Sequence, residues 1–128
     1  MISLIIPTYR NPEYLDICLK SAVEGQTLNN EIIVVVDGFV EESNEILEKY
    51  KGKIQVLPLE DNQGMQQALN LGVMNATNER IMIINDDNVL CNGWDSIWAD
   101  MSEGEVKTIN QIEPTGPGMF NFPAKDFG

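Results

Sequence analysis

Two adjacent carboxylates flanked by amides follow an apolar run in the second half of the chain. The run covers residues 81–84, and the polar residues after it are Asn85, Asp86, Asp87 and Asn88. Consecutive apolar residues are typical of a strand that is buried on both faces of a sheet. Acids at the carboxyl end of such a strand lie at the rim of the sheet, where open α/β folds bind ligands. Carboxylates in that position can hold a divalent cation, and the cation can hold a diphosphate.

The elements that would position these acids are predicted from the spacing of apolar residues. The predicted strands cover residues 2–6, 32–36, 54–57 and 80–84, the first stopped by Pro7 and the third by Pro58. The predicted helices cover residues 12–25, 41–50 and 65–74, with Asn11 as the N-cap of the first. Strands that alternate with helices at this spacing predict βαβ units and a parallel sheet. After residue 88 the pattern weakens to a short helix over 94–101, a strand over 106–112 and an extended tail over 114–128.

Three loops follow the carboxyl ends of the predicted parallel strands and would line one crevice. They are Pro7-Thr8-Tyr9-Arg10, Asp37-Gly38 and Asp86-Asp87-Asn88. An acid such as Asp37 can accept hydrogen bonds from a base N–H or from ribose hydroxyls, and the ring of Tyr9 can stack on a base. Each feature also has a plainer explanation, because the Asp37-Gly38 pair is a common turn dipeptide and the acidic pair alone would equally cap a turn.

The composition predicts one folded domain with an acidic surface. The chain has 128 residues, of which 43% are hydrophobic and 22% charged, and its formal net charge is −12. A polyanion repels nucleic acid and anionic membrane surfaces, so neither is an expected partner. The same charge opposes the binding of a diphosphate unless a metal ion neutralises the site, which favours a cation at Asp86 and Asp87.

The chain has no histidine, and its two cysteines, Cys18 and Cys91, form no CxxC pair. This excludes zinc sites of the cysteine–histidine type and all histidine-based catalysis. Any chemistry must therefore rest on carboxylates, on a metal or on groups outside this chain. Free thiols fit a reducing compartment. No apolar run approaches the roughly 20 residues that a membrane span needs, so we expect a soluble, cytoplasmic protein.

Four motifs resemble the family 2 inverting glycosyltransferases, which have the GT-A fold. Residues 3–21 are similar to the opening of that family, and residues 31–38 are similar to its second strand and nucleotide-binding aspartate. Residues 62–64 together with 68–72 are similar to the next motif. Residues 85–87 stand in place of its metal-binding DxD-type signature. The resemblance covers roughly residues 2–95 in order and spacing. It implies a GT-A-like, Rossmann-like α/β fold with a mainly parallel sheet flanked by helices, truncated in the acceptor half.

The resemblance also implies a transferase that takes a sugar from a UDP- or GDP-sugar and passes it to an acceptor hydroxyl with inversion. The residues that would bind the nucleotide sugar are Pro7, Thr8, Tyr9, Asp37, Asn62, Gly64 and Asp86. Asp37 would bind the base and Asp86 the ribose or the donor sugar. Asp87 would ligate Mn²⁺ or Mg²⁺, and the metal would stabilise the charge on the departing nucleoside diphosphate.

The chain departs from the family pattern at several positions. Val36 replaces an acid that most members have before the aspartate, and Phe39 replaces the usual serine after the glycine. Leu69 stands where an arginine commonly helps to hold the donor. Asn85, at the first position of the metal signature, is a variant that some members share.

We expect a single domain over residues 1–128, with a core over about residues 1–95 and a partial acceptor-side segment over 96–128. No acid after the metal motif lies in a recognisable catalytic-base context, so the general base is expected outside this chain, in a missing C-terminal half or a partner chain. Two other functions are compatible with the same residues. One is a module that binds a nucleotide or nucleotide sugar without catalysis, and the other is a structural protein that retains the fold.

Overall fold

The computed structural model describes residues 1–108, and these form a parallel sheet with helices on both faces. The strands are β1 (Ile2–Thr8), β2 (Glu31–Asp37), β3 (Gln55–Leu59) and β4 (Arg80–Ile83), in the order β3-β2-β1-β4. The helices are α1 (Pro12–Gly25), α2 (Asn44–Glu48) and α3 (Met65–Asn75). The predicted alternation of strands and helices around a parallel sheet is confirmed.

Side chains along the two central strands alternate between the two faces of the sheet. Leu4 of β1 and Val34 of β2 pack with α1 in one cluster, whereas Ile5 packs with Ala68 of α3 in the other. Gly72 brings α3 close to the sheet, because a Cβ at this position would lie 2.5 Å from the Ile5 Cγ2 atom. Helices on both faces explain why β1 and β2 are continuous apolar runs.

Two strands continue through the prolines that were predicted to end them. β1 extends to Thr8, with Pro7 in register with Val35, and β3 extends to Leu59 with Pro58 inside it. The carbonyl of Ile5 points toward β4, where it accepts the N–H of Ile84. Backbone groups two residues apart in a strand point to the same side, so the backbone nitrogen of Pro7 also points toward β4, but beyond the residue where β4 ends. β3 is an outer strand of the described sheet. Proline is tolerated at such positions because no ladder donor is required there.

The prediction that residues 81–84 are buried on both faces is wrong. Met82 is buried, but the side chain of Ile83 is 47% exposed. β4 is the outermost strand on its side of the described sheet, and α3 packs mainly against β1 and β2. The apolar run therefore predicted the strand correctly, but it did not predict that the strand lies at the outside of the described sheet.

Two predicted helices are shorter in the structure. Residues 41–50 divide into a 3-10 turn over Val40–Ser43 and the short helix α2, and residues 94–101 contain one 3-10 turn over Ser96–Trp98. Acidic side chains three and four positions apart repel one another, which disfavours a longer helix in the first segment. The predicted strand over 106–112 is not formed at residues 106–108, and its remainder lies outside the described residues, as does the tail over 114–128.

The chain after the acidic pair is fastened to the amino-terminal edge of the sheet by a buried carboxylate. Asp95 accepts hydrogen bonds from the backbone N–H groups of Thr27 and Leu28 and from Asn30 Nδ2, at 2.8–2.9 Å. Burial alone would raise the pKa of Asp95, but the hydrogen bonds from Leu28, Thr27 and Asn30 bring it below its ordinary value. Within the described part of the chain, no helix has the length and hydrophobicity that a membrane crossing requires.

Candidate functional site

The acidic pair lies in the turn after β4, and its first member is held by the loop between β1 and α1. Thr8 Oγ1 donates a hydrogen bond to Asp86 Oδ2 at 2.8 Å, and Asn11 Nδ2 donates one to Asp86 Oδ1 at 3.3 Å. Asn11 is the N-cap residue of α1, as predicted, although its side chain makes no capping hydrogen bond. Both carboxylate oxygens of Asp86 therefore have a partner, and its orientation is set by residues at the two ends of one loop.

The second acid of the pair is free. Asp87 is exposed, and within residues 1–108 no donor forms a hydrogen bond with its carboxylate. The turn that carries it is closed independently, because Asn88 Oδ1 accepts the N–H of Asn85 at 2.9 Å. The turn thus presents one fixed and one available carboxylate side by side.

A buried thiol lies beneath this turn. The Cys18 Sγ of α1 is 3.7 Å from the carbonyl oxygen of Asn85. Burial, reinforced by the negative charges of Asp86 and Asp87, raises the pKa of the Cys18 thiol to about 12. A thiol with that pKa is protonated at neutral pH, so it serves as packing and not as a nucleophile.

A second buried acid at the same edge holds the loop after β3. Asp37 Oδ1 accepts the N–H of Gln63 at 2.7 Å, and Oδ2 accepts the N–H of Gly64 at 3.0 Å. Gly38 has a φ of +85°, and a Cβ there would lie 2.8 Å from the backbone nitrogen of Asn62. The Asp37-Gly38 pair is therefore a turn, as its plainer explanation states, and it also docks the loop over residues 61–64.

The predicted site residues lie at one edge of the sheet. Thr8, which holds Asp86, is in register with Val36, and Val36 immediately precedes Asp37. Pro7 is buried within β1. Thr8 is buried as well, with its hydroxyl committed to the acidic pair, so any effect of Thr8 on a ligand passes through Asp86.

An exposed cluster of aromatic and charged side chains spans the loops after β1 and β2. The ring centroids of Tyr9 and Phe39 are 6.0 Å apart, and the Arg10 guanidinium carbon is 4.2 Å from the Phe39 centroid. Arg10 also forms two hydrogen bonds with the Glu42 carboxylate, at 3.0 and 3.2 Å. Sequence reasoning singled out Tyr9 but missed this cluster, because no spacing rule pairs residues about thirty positions apart.

The carboxylates of Asp86 and Asp87 suit a cation that is bound jointly by the protein and by a phosphate ligand. No group of three or more acidic or cysteine side chains suited to a metal forms within residues 1–108. Mg²⁺ is commonly bound through one or two carboxylates together with substrate phosphates and water. The exposed Asp87 beside Asp86 offers that kind of partial donor set.

The sequence model of the family described as "Glycosyl transferase family 2" matches residues 3–104. The chain belongs to the family 2 glycosyltransferases. The match includes every predicted site residue of this glycosyltransferase domain, from Pro7 to Asp87. It confirms the resemblance on which the assignment of these residues depends.

Related proteins and structures agree with this membership. Glycosyltransferase GlyG of Streptococcus pneumoniae serotype 4 is 28% identical over 136 residues, which cover 99% of this chain and 45% of GlyG. The S. aureus TarS 1-349 complex with UDP-GlcNAc has a TM-score of 0.65 and 26% identity, over 75% of this chain and 28% of that one. Mannosyltransferase PcManGT of Pyrobaculum calidifontis was solved in complex with GDP-Man and Mn²⁺. Its structure has a TM-score of 0.67 and 18% identity, over 78% of this chain and 32% of that one. At this identity the likeness supports a shared fold and nothing further.

These comparisons identify the fold of the family 2 domain as GT-A. The chain spans less than half the length of the proteins named above. Its homologues are named as glycosyltransferases, which agrees with the family predicted from the motifs.

Proposed function

We propose that this domain binds a nucleotide-diphosphate sugar and that the whole protein transfers the sugar to an acceptor hydroxyl. The observation that carries the proposal is the acidic pair, in which Asp86 is fixed by Thr8 and Asn11 while Asp87 is free. The pair lies at the same sheet edge as Asp37. The similar TarS chain holds UDP-GlcNAc, which supports a UDP-sugar, and a GDP-sugar is the alternative donor.

Each side chain then has a separate task. Asp37 lies beside the base, and it holds the loop that carries Asn62 and Gly64 against the site. Tyr9, a residue that is 47% exposed, offers an aromatic face to the base. Asp86 accepts from the ribose or the donor sugar, and it cannot turn away because two donors hold its oxygens.

The residues present fit Mn²⁺ or Mg²⁺ bound through Asp87 and the donor diphosphate. When bound, such an ion stabilises the negative charge that develops on the departing nucleoside diphosphate. The acceptor hydroxyl attacks the anomeric carbon from the opposite face, so the configuration inverts. The general base lies outside the described residues in this proposal, in the remainder of the protein or in a partner chain.

A ligand-binding panel tests the proposal. UDP, GDP and their sugars are each added with and without Mn²⁺. The matching nucleotide is expected to raise the melting temperature when Mn²⁺ is present, because a ligand at 100 times its Kd stabilises the folded state by about 2.7 kcal/mol, and to raise it much less without Mn²⁺. Asp87→Asn is expected to weaken the Mn²⁺-dependent binding at least tenfold. Glu79→Gln removes an equal charge from an exposed side chain just before β4, at the opposite edge of the sheet, and is expected to leave binding unchanged.

The outcomes separate the remaining alternatives. If Asp87→Asn keeps full metal-dependent binding, the assignment of the metal ligand is wrong. If the unmodified chain binds none of these nucleotides, the structural-protein alternative replaces the proposal. Tight binding by the whole protein without hydrolysis or transfer identifies a binding module. The cytoplasmic location and the lack of nucleic-acid partners stay predictions from composition.

A further inference from the structure

One basic side chain stands among the acids at the carboxyl edge of the sheet. The segments that follow the four described strands at this edge cover residues 9–11, 38–39, 60–64 and 84–88. They contain several aspartates and glutamates, and Arg10 is their only lysine or arginine. A diphosphate bound at this edge therefore has a single protein cation within these segments to offset its charge.

The loop that carries this cation is fastened beside the acidic pair. Thr8 and Asn11, two residues before and one residue after Arg10, both donate hydrogen bonds to Asp86. Arg10 itself has a φ of +48°, and Phe39, on which its guanidinium lies, has a φ of +50°. Left-handed backbone is uncommon for residues other than glycine, and its cost is concentrated at binding and catalytic sites.

The present partner of Arg10 is weakly held. The ion pair between Arg10 and Glu42 is exposed, with 49% and 39% of the two side chains accessible. Exposed pairs of this kind contribute little and exchange readily with solvent and ligands. The guanidinium carbon lies 4.2 Å from the Phe39 centroid, and the Nε and Nη2 atoms donate their hydrogen bonds to Glu42, so a phosphate at this position has to replace Glu42 as the acceptor. That planar fork matches the oxygens of a phosphate as well as those of a carboxylate.

We infer that Arg10 recognises the diphosphate of the donor, leaving Glu42 for a phosphate oxygen while it stays stacked on Phe39. The inference rests on the proposed function, because the ligand is the same nucleotide. Arg10 then supplies the positive charge that Leu69, an uncharged residue, cannot supply from α3. Glu42 neutralises Arg10 when no nucleotide is bound and competes with the phosphate when one is.

The test compares ligands that differ only in phosphate content. Uridine, UMP and UDP, and the matching guanosine series, are titrated with Mn²⁺ into the chain and its variants by calorimetry. Arg10→Ala is expected to weaken diphosphate binding about 10- to 100-fold, the range of one charge-assisted hydrogen-bonded pair, and to leave nucleoside binding unchanged. Arg10→Lys keeps the positive charge but not the planar, forked guanidinium, so its affinity for the diphosphate is expected to lie between those of Arg10→Ala and the unmodified chain. Lys49→Ala breaks another exposed ion pair, with Asp16, and is the matched control.

A second variant tests the competition. Glu42→Gln is expected to tighten diphosphate binding a few-fold, whereas Glu45→Gln, the same change of charge in the exposed first turn of α2, is expected to have a smaller effect. In the Arg10→Ala background the advantage of Glu42→Gln over Glu45→Gln should disappear. If it persists, the effect is one of net charge and the inference is overturned.

The remaining outcomes are equally decisive. An equal loss of nucleoside and diphosphate binding in Arg10→Ala means that the residue shapes the base pocket and does not recognise phosphate. Unchanged diphosphate binding in Arg10→Ala refutes the inference while the proposed function stands. Absence of nucleotide binding by the unmodified chain refutes both.

Discussion

Replacing Asp37 with asparagine is expected to release the loop over residues 61–64 from the sheet. The Asp37 side chain is only 4% exposed, and its two oxygens accept the backbone N–H groups of Gln63 and Gly64. An asparagine keeps one acceptor oxygen but places an NH₂ group where the second oxygen was. That NH₂ group then faces an N–H donor, so one hydrogen bond is lost and the buried NH₂ group has no acceptor; if it faces Gly64, the Gly64 N–H keeps its bond to Asn62 Oδ1.

The size of the effect follows from these contacts. A hydrogen bond to a charged group contributes about 1.5–3 kcal/mol, and a buried donor left unpaired costs about 1–3 kcal/mol; the two figures describe the same broken contact and are not added. We therefore expect Asp37→Asn to lower the free energy of unfolding by about 2–3 kcal/mol. For a domain of this size that corresponds to a fall in melting temperature of about 6–15 °C.

Urea unfolding and amide hydrogen exchange measure the two parts of this prediction. The amides of Gln63 and Gly64 should exchange faster in Asp37→Asn, and nucleotide affinity should fall with them because the loop borders the proposed base site. Asp61→Asn is the matched control, since Asp61 is an exposed acid in the same loop. Unchanged stability together with slow exchange at both amides would show that Asp37 does not hold the loop.

Two further variants test the packing that positions the site. The pKa of Asp95 is lowered in the folded state, so its contribution is complete above the ordinary value of about 4 and is lost as the pH falls through the lower folded value. Asp95→Asn should therefore lower the free energy of unfolding by about 2–3 kcal/mol at pH 7, measured by urea unfolding. Between pH 5 and pH 2 the stability of the variant should fall less than that of the unmodified chain. Parallel pH profiles of the two proteins would contradict this. Gly72→Ala places a Cβ 2.5 Å from Ile5 Cγ2 and should cost about 1–3 kcal/mol, whereas Asn70→Ala, on the exposed side of α3, should be neutral or stabilising. Equal stability of the two α3 variants would mean that the helix has room to move away from the sheet.

The order of elements could be predicted from the sequence because periodicity reports local burial. Apolar runs in β1 and β2 reflect helices on both faces, and the apolar stripe of α1 packs on the sheet as expected. The outer position of β4 in the described sheet could not be predicted in this way, because a run of apolar residues does not indicate whether a strand pairs with one neighbouring strand or with two. The continuation of β1 through Pro7 depended on β4 ending earlier, which is again a property of the assembled sheet.

The candidate site was predictable as a set of loops but not as a set of contacts. Parallel topology alone brings the loops after β1, β2 and β4 to one edge. The pairing of Asp37 with amides 26 and 27 residues away has no local signal. Asn11 is the N-cap residue of α1, as its local signal predicted, but its side chain bonds to Asp86 and not to the first helical turn, because Asp86 offers its amide a charged acceptor.

Under the proposed function, the distribution of charge at this edge makes cation binding and nucleotide binding interdependent. Asp37, Asp86 and Asp87 lie in or beside loops that contain a single cation, Arg10, already paired with Glu42. A free diphosphate approaching this edge meets net repulsion, which falls only when a metal ion accompanies it. Asp86 has both oxygens occupied, so the ion has only Asp87 as an unengaged carboxylate in the pair. Under the proposed function, a chain with so few basic residues selects an anionic ligand because the ligand brings its own positive charge.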